Sequence, residues 1–165
     1  MNTEQQLIEL IKVNKDKYYR VAFSYVKNRE DALDIVHNTI VKALQKNNQL
    51  HRDDGLEIWF YRILINESIS FVRKSKNITY FDELSETQIP KTENSDVEQY
   101  ITLYDAIDRL SPKLKTVIIL RFFEDLKFDE IAEITSTKLS TVKARLYSAL
   151  KLLRIDIEEG IDYDW

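Results

Sequence analysis

The sequence contains no cysteine and only two glycines and two prolines among its 165 residues. Without cysteine, disulfide frameworks, thiolate zinc sites and cysteine nucleophiles are excluded. β-Sandwiches and β-barrels need many tight turns, which are rich in glycine and proline, so this scarcity favours long helices with few connections. The composition also excludes collagen-like and low-complexity chains. We therefore expect an all-α protein.

Long hydrophobic runs are missing as well. The longest, Val117–Leu120, spans four residues, whereas a membrane-spanning helix needs about 20 apolar residues. The stretch from Met1 to Lys17 is polar and carries acidic residues, unlike a secretory signal peptide. We therefore expect a soluble, cytoplasmic protein without direct membrane association.

The net charge of −4 hides a segregation of charge along the chain. Residues 1–76 hold 13 basic and 10 acidic residues, and residues 106–154 hold 10 basic and six acidic residues. Residues 77–105 hold one lysine and seven acids, and residues 155–165 hold five acids and no basic residue. Basic folded segments between acidic ones are compatible with polyanion contact, although domains of such modest charge are common.

Helical periodicity extends over residues 4–76. Asn28 is placed to cap a helix from Arg29 to Gln45, and a further helix is predicted from Leu56 to about Lys74. Apolar residues recur every three or four positions in the helix after Asn28, which predicts a buried stripe. Its expected members are Leu33, Val36, Ile40, Ala43 and Leu44.

The periodic pattern dissolves into a polar, acidic stretch that begins near Ser75. We interpret this stretch as a boundary and predict a helical domain at 1–76, a flexible acidic linker at 77–95 and a second helical domain at 96–165. The second domain ends in an acidic tail.

The second domain is predicted to contain four helices. The first runs from about Val97 to Leu110, and Pro112 lies in the first turn of the next, where proline is favoured. That second helix is expected to reach Phe123. Its predicted buried residues are Leu114, Val117, Ile118 and Phe122.

The last two helical patterns, Phe128–Ile134 and Ser140–Leu153, have the layout of a helix-turn-helix. Ala132 supplies the small residue that two steeply crossing helices need, and Ser140 or Thr141 is placed to cap the second helix. Their expected core is Ile131, Leu139, Val142 and Leu146.

The spacing of these two patterns fits an ordinary amphipathic helix pair with a solvated basic face equally well. Ser136 occupies the turn position where glycine is usual, and serine enters a left-handed turn less easily than glycine or asparagine. In a helix-turn-helix the second helix enters the major groove, where Arg145 is expected to read a guanine edge. The predicted contacts to duplex DNA are Lys138, Thr141, Lys143, Ala144, Arg145, Ser148 and Lys151.

Three segments together resemble the extracytoplasmic-function RNA polymerase sigma factors, group 4 of the sigma-70 family. Leu110–Ile134, continuing to Thr141–Leu146, resembles region 4, which recognises the −35 promoter element. Asn28–Ala43 looks like region 2.2, which binds a coiled coil on the largest polymerase subunit. Trp59–Asn66, followed by Ile69–Lys74, looks like the segment that opens and reads the −10 element. The segments occur in the family's order and cover most of the chain.

This resemblance implies roles for residues in the first domain. The implied contacts to core polymerase are Asp31, Asp34, His37, Asn38 and Val41. The implied contacts to the −10 element are Trp59, Tyr61, Arg62, Asn66, Arg73 and Lys74. Amides and aromatic rings can receive unstacked bases, and basic side chains neutralise phosphates. Asn66 is the better candidate for a flipped-base pocket, since an aromatic residue such as Trp59 is more often part of a core.

The chain departs from the family pattern at four positions in these segments. His37 and Asn38 stand where glutamine and glutamate are usual, and Ile65 and Ser70 replace a customary arginine and aspartate. The contact geometry with polymerase and the preferred −10 sequence therefore stay open.

The resemblance implies an alternative sigma factor that directs RNA polymerase core enzyme to specific promoter DNA and assists melting. It implies no enzymatic activity, no cofactor and no metal, and it implies an anti-sigma factor as a partner, usually membrane-bound. A conventional helix-turn-helix regulator with an N-terminal interaction domain is the first alternative. The second is a metal-dependent enzyme, because Glu30, Asp34 and His37 have helical ligand spacing, although the chain has only two histidines and no glycine-rich phosphate loop.

Overall fold

The computed structural model describes residues 2–49, 55–82 and 105–153. The N-terminal half, residues 2–82, contains α1 (Thr3–Val26), α2 (Arg29–Gln45), a 3₁₀ turn (Asn47–Gln49) and α3 (Leu56–Asp82). The C-terminal half, residues 105–153, contains α4 (Pro112–Ile118) with a π-helical turn after it (Ile119–Phe123), α5 (Phe128–Thr135) and α6 (Leu139–Leu153). The described segments contain no strand, and the predicted all-α fold is confirmed.

The turn between α1 and α2 is set by two adjacent residues. Lys27 adopts a left-handed conformation (φ 52°) that ends α1, and its N–H donates to the Phe23 carbonyl at 2.8 Å. Asn28 is extended, and its Oδ1 accepts a hydrogen bond from the Asp31 N–H at 2.9 Å. The side chain thereby satisfies one of the free N–H groups at the start of α2, so the predicted cap is confirmed.

The N-terminal half is a three-helix core built around aromatic rings. The Tyr18 ring of α1 lies 4.5 Å from the Phe60 ring of α3 and meets the Tyr61 ring edge-on at 5.6 Å. The expected stripe on α2 is partly wrong, because Leu33 is 47% exposed while Ile35 is buried. The face of α2 that packs against α1 and α3 is formed instead by Ala32, Ile35, Val36, Thr39 and Ala43.

Helix α3 extends beyond the end expected from the sequence, near Lys74, and reaches Asp82. No glycine or proline occurs between residues 56 and 82, so nothing in the backbone chemistry stops the helix where the apolar pattern fades. The remainder of the predicted linker, the helix predicted from Val97 up to residue 104, and the acidic tail lie outside the described residues.

In the C-terminal half, Ser111 caps α4 by accepting a hydrogen bond from the Leu114 N–H at 3.4 Å. Pro112 occupies the first turn, as predicted. The expectation that Phe122 is buried is wrong, since it is 42% exposed. The π-helical turn, closed by a 3.0 Å bond from the Glu124 N–H to the Ile119 carbonyl, changes the register. Ile119 and Leu120 point inward as a result.

The helix-turn-helix pairs α5 with α6 through a tight turn at Ser136. Ser136 is left-handed (φ 56°, ψ 44°) although it is not glycine. Helix α6 begins at Leu139, because the Lys138 carbonyl accepts from the Val142 N–H at 3.1 Å. The predicted caps Ser140 and Thr141 are therefore wrong, since both lie inside the first turn.

The predicted core between the two helices is correct for Ile131, Val142 and Leu146, which are all buried. It is wrong for Leu139, which is 42% exposed at the first position of α6. Helix α3 packs directly against α5, so the two halves are in contact. Among the helices described, none is both long enough and apolar enough to cross a bilayer.

Candidate nucleic-acid interface

The residues predicted to contact polymerase lie on the face of α2 that is turned away from the core. Asp34, His37, Asn38 and Val41 are exposed, whereas Asp31 is half-buried at the capped start of the helix. On the adjoining side, the Lys42 ammonium pairs with the Glu67 carboxylate of α3. The packing of the helix bundle fixes the orientation of this face, and its exposed side chains are not part of the N-terminal core.

The residues predicted to contact the −10 element divide into two groups on α3. Arg62, Asn66, Arg73 and Lys74 are exposed. Trp59 is half-buried against the core, and Tyr61 is fully buried. The basic side chains and the Asn66 amide are therefore at the surface, whereas the Tyr61 side chain is inaccessible to DNA in this arrangement.

The residues predicted to contact duplex DNA follow the outer side of α6. Val142, Leu146, Ala149, Leu150 and Leu153 form its buried side. Lys138, Ala144, Ser148 and Lys151 are exposed, and Thr141, Lys143 and Arg145 are half-buried. The inward and outward sets alternate with the helical repeat, which presents the outer set as one surface.

A cleft of about 560 Å³ lies where the two halves meet. Asn66 and Arg73 of α3 line it together with Arg145 of α6, while Ile65 contributes to its apolar lining. Ile65, which stands where the family usually has arginine, is itself only 2% exposed. The cleft thus joins residues predicted for the −10 element with one predicted for the −35 element.

Sequence reasoning missed a set of polar side chains buried between the halves. Glu124 is 9% exposed and accepts a hydrogen bond from the Tyr61 hydroxyl at 3.0 Å. Lys115 is 6% exposed and donates to the Ser24 carbonyl at 3.3 Å. Nothing in the sequence marks these residues, because a charged side chain in a short turn or helix normally faces water.

Burial also changes the chemistry of three tyrosines in and beside this contact. It raises the pKa of Tyr18, Tyr25 and Tyr61 above the usual range of tyrosine. At Tyr61 the negative charge of Glu124 raises the pKa further. The neutral phenols are therefore favoured in the folded protein.

The metal-dependent alternative required a cluster of ligands around His37. Across residues 2–49, 55–82 and 105–153, no three His, Asp or Glu side chains are grouped so that they could hold a metal ion. Glu30, Asp34 and His37 thus form no such group.

Two protein-family models match this chain, one in each half. The family model for sigma-70 region 2 matches residues 10–78, and that for sigma-70 region 4 matches residues 100–153. The RNA polymerase sigma factor SigV of Bacillus subtilis is 45% identical over 155 residues, which cover 94% of this chain and 93% of SigV. The ECF RNA polymerase sigma factor SigW of Bacillus subtilis is 26% identical over 92% of this chain and 88% of its own length.

A solved structure shares the fold across both halves. The sigma factor RpoE of Bartonella quintana, solved in complex with the anti-sigma factor NepR, matches with a TM-score of 0.69 at 22% identity. The match covers 92% of this chain and 99% of RpoE. The two family models match one half of the chain each, and the similarity to SigV spans both halves. The chain belongs to the sigma-70 family of RNA polymerase sigma factors, in its extracytoplasmic-function group.

Proposed function

We propose that the two halves of this alternative sigma factor divide the recognition of a promoter between them. The N-terminal half binds core polymerase and the melted −10 element, and the C-terminal half binds the −35 duplex. The observation that carries this proposal is the presence, in one chain, of an exposed row on α3 with Arg62, Asn66 and Arg73 and of a helix-turn-helix with an outward polar face. The division into 1–76, 77–95 and 96–165 stays a prediction.

The exposed face of α2 has the chemistry of a protein contact and not of a DNA contact. Leu33 and Val41 are 47% and 38% exposed, and they flank Asp34 and His37 on successive turns. An aspartate would repel phosphates, whereas apolar side chains beside a carboxylate suit a partner that offers apolar and basic groups. This face is proposed to bind the polymerase core.

The exposed part of α3 has the chemistry of a single-strand contact. The Asn66 amide can both donate to and accept from the edge of an unstacked base. Arg62, Arg73 and Lys74 supply the positive charge that follows a phosphate backbone. Trp59 is half-buried and supports this surface from within.

The outer side of α6 has the chemistry of duplex reading. Arg145 offers the planar fork of donors that matches the O6 and N7 acceptors of guanine. Lys138, Lys143 and Lys151 are proposed to contact phosphates, with Thr141, Ala144 and Ser148 along the groove.

We also propose an anti-sigma factor as a regulatory partner. RpoE was solved with the anti-sigma factor NepR, and CnrH, which matches this chain with a TM-score of 0.67, was solved with the cytosolic domain of CnrY. We propose that such a partner covers the surfaces on α2, α3 or α6. The chain is proposed to act in the cytoplasm, where RNA polymerase transcribes, and to have no catalytic activity of its own.

Binding to purified core polymerase tests the proposed function at the surface of α2. Asp34→Lys reverses a charge on that face and should weaken the complex about tenfold or more. Glu9→Lys makes the same change at an exposed position of α1 and should leave the dissociation constant within about twofold. The readout is fluorescence anisotropy of the labelled protein during titration with core enzyme.

The conventional-regulator alternative gives a different result in the same titration. A regulator would bind duplex DNA through α6 but form no complex with core polymerase at any concentration tested. That outcome for the unmodified protein would overturn the sigma-factor proposal, whereas equal weakening by Asp34→Lys and Glu9→Lys would overturn only the assignment of α2.

A further inference from the structure

The last helix of the helix-turn-helix lies in a stretch of one charge sign, and the segment that follows it carries the opposite sign. Residues 134–154 hold no acidic residue and five basic ones, which are Lys138, Lys143, Arg145, Lys151 and Arg154. Residues 155–165, which we call the acidic segment, hold five acidic residues and no basic one. The two stretches are adjacent and their formal charges cancel, so the acidic segment is complementary in charge to the outer side of α6.

Three basic side chains on and beside α6 have no counter-charge within the described residues. Lys138 and Lys151 are exposed, and Arg145 is half-buried. No carboxylate in residues 2–49, 55–82 and 105–153 forms an ion pair with any of the three. Helix α6 itself contains no aspartate or glutamate. The positive charge of its outer side is therefore available to an acidic partner.

An apolar side chain is exposed on the same side of α6, close to the start of the acidic segment. Leu152 is 63% exposed, although it lies in the last turn of a helix whose other side is packed. It follows Arg145 by seven residues, which is about two helical turns, so the two side chains share one row of the outer side. This row offers an apolar contact beside a guanidinium group.

The acidic segment has both chemistries that match this row, and it is long enough to reach it. Its five carboxylates are interspersed with Ile155, Ile157, Ile161, Tyr163 and Trp165. Arg145 lies eight residues before Leu153 at the end of α6, or about 12 Å along the helix axis. Eleven residues of extended chain span up to about 36 Å. The acidic segment can therefore turn back along the outer side of α6.

We propose that the acidic segment binds the outer side of α6 and covers it while the protein is away from DNA. The carboxylates take the place of duplex phosphates, and the apolar side chains contact Leu152. The inference rests on the proposed role of α6 in binding the −35 duplex. Because the acidic segment is attached to α6, its effective concentration there is about millimolar, which is enough for a weak contact to form. Duplex DNA has to displace it, so the apparent affinity falls with the fraction of molecules whose α6 is uncovered.

Two variants of the whole chain with the same net charge test this contact. The segment variant carries Asp156→Asn, Glu158→Gln, Glu159→Gln, Asp162→Asn and Asp164→Asn. The linker variant removes the same number of carboxylates from the predicted linker and the residues after it, through Glu83→Gln, Glu86→Gln, Glu93→Gln, Asp96→Asn and Glu98→Gln. Each variant raises the net charge of −4 by five. The readout is fluorescence anisotropy of a labelled duplex of about 20 base pairs and arbitrary sequence, since phosphate contacts do not depend on the bases.

The segment variant should bind the duplex about tenfold more tightly than the unmodified protein, as expected if α6 is uncovered in about one molecule in ten. The linker variant should stay within about twofold of the unmodified protein, because charges that are not held at α6 are screened by salt. The difference between the segment variant and the unmodified protein should narrow as the salt concentration rises, since salt also weakens the contact between the carboxylates and α6.

Two further variants separate binding to α6 from repulsion of DNA by nearby negative charge. A triple variant, Ile157→Ser/Ile161→Ser/Tyr163→Ser, keeps every carboxylate, and Leu152→Ala removes the exposed apolar contact on α6. Each should tighten duplex binding about threefold. Combining them should add no more than about 1.5-fold, because both remove the same contact. Repulsion alone predicts no change for either variant.

Three results would each overturn the contact between the acidic segment and α6. The first is equal tightening by the segment and linker variants, which net charge alone would explain. The second is a segment variant that binds the duplex no more tightly than the unmodified protein. The third is unchanged binding in both the triple serine variant and Leu152→Ala. The proposed function fails separately, if the unmodified protein forms no complex with core polymerase.

Discussion

Among the residues proposed to contact the −35 duplex, Arg145 is the one whose replacement should change the preference for DNA sequence most. It is half-buried on the outer side of α6, between the exposed residues Ala144 and Ser148. If it forms a bidentate contact to guanine, Arg145→Ala costs about 1–3 kcal/mol in binding free energy and relaxes the preference at one −35 position. Affinities of the protein for a panel of −35 duplexes, each with one base pair changed, measure both effects.

Lys151 provides the matched control for this prediction, because it is exposed on the same helix and is proposed to contact phosphate. Lys151→Ala should weaken all duplexes by the same factor and reduce the slope of log affinity against log salt concentration by about 1. An Arg145→Ala protein that keeps the original order of preference among the duplexes would contradict the assignment.

The buried tyrosines predict a loss of stability in alkaline solution. Burial raises the pKa of Tyr18, Tyr25 and Tyr61 in the folded protein, whereas an unfolded tyrosine ionises near pH 10. Below about pH 10 the phenols are neutral in both states, and their contribution to stability is fully present. Above about pH 10 the unfolded state alone releases protons, so the free energy of unfolding should fall as pH rises.

Urea unfolding at a series of alkaline pH values, followed by circular dichroism, measures this fall. The tyrosinate absorbance should rise together with unfolding for the buried tyrosines and before unfolding for exposed ones. A Tyr61→Phe protein should show a weaker dependence on pH than the unmodified protein. Stability that is unchanged above about pH 10 would contradict the burial of the three phenols.

At the scale of elements, the turn of the helix-turn-helix carries avoidable strain. Ser136 has φ 56°, a conformation that costs a residue with a Cβ atom about 1–2 kcal/mol and glycine almost nothing. Because glycine also adds entropy to the unfolded chain, Ser136→Gly should raise the free energy of unfolding by no more than about 1 kcal/mol. Urea denaturation measures the change.

Ser148→Gly is the matched control, since Ser148 is exposed in the interior of α6. There the same substitution should lower the free energy of unfolding by about 0.5 kcal/mol, the difference in helix propensity. Ser136→Gly and Ser148→Gly lowering stability equally would show that the turn is not strained.

The helices themselves could be predicted from the sequence wherever the signal is local. The cap at Asn28, the proline at the start of α4 and the two short helices of the helix-turn-helix follow from neighbouring residues. Which face of a helix is buried depends on contacts with residues that are distant in the sequence. The π-helical turn exposes Phe122, and the α2 face that packs in the core excludes Leu33, because both depend on the packing of other elements.

At the scale of the whole molecule, the candidate site was predictable only on the surfaces that each half presents alone. The exposed residues of α2 and α6 follow from helical periodicity and from the family resemblance. Tyr61 and Glu124 could not be placed, because their burial arises where one half meets the other. No pattern within a single helix contains that information, since it depends on contacts between residues more than 60 positions apart.

The packing of α3 against α5 brings residues of both halves into one cleft. The face of α2 that carries Asp34, His37, Asn38 and Val41 stays exposed in this arrangement.

The most direct test of the central claim is initiation in a purified system that contains core polymerase, genomic promoter fragments from the same organism and this protein. We predict transcripts with defined start sites that appear only when the protein is added, and that are lost with Asp34→Lys but retained with Glu9→Lys. Transcription that is the same with and without the protein, on every fragment, would contradict its function as a sigma factor.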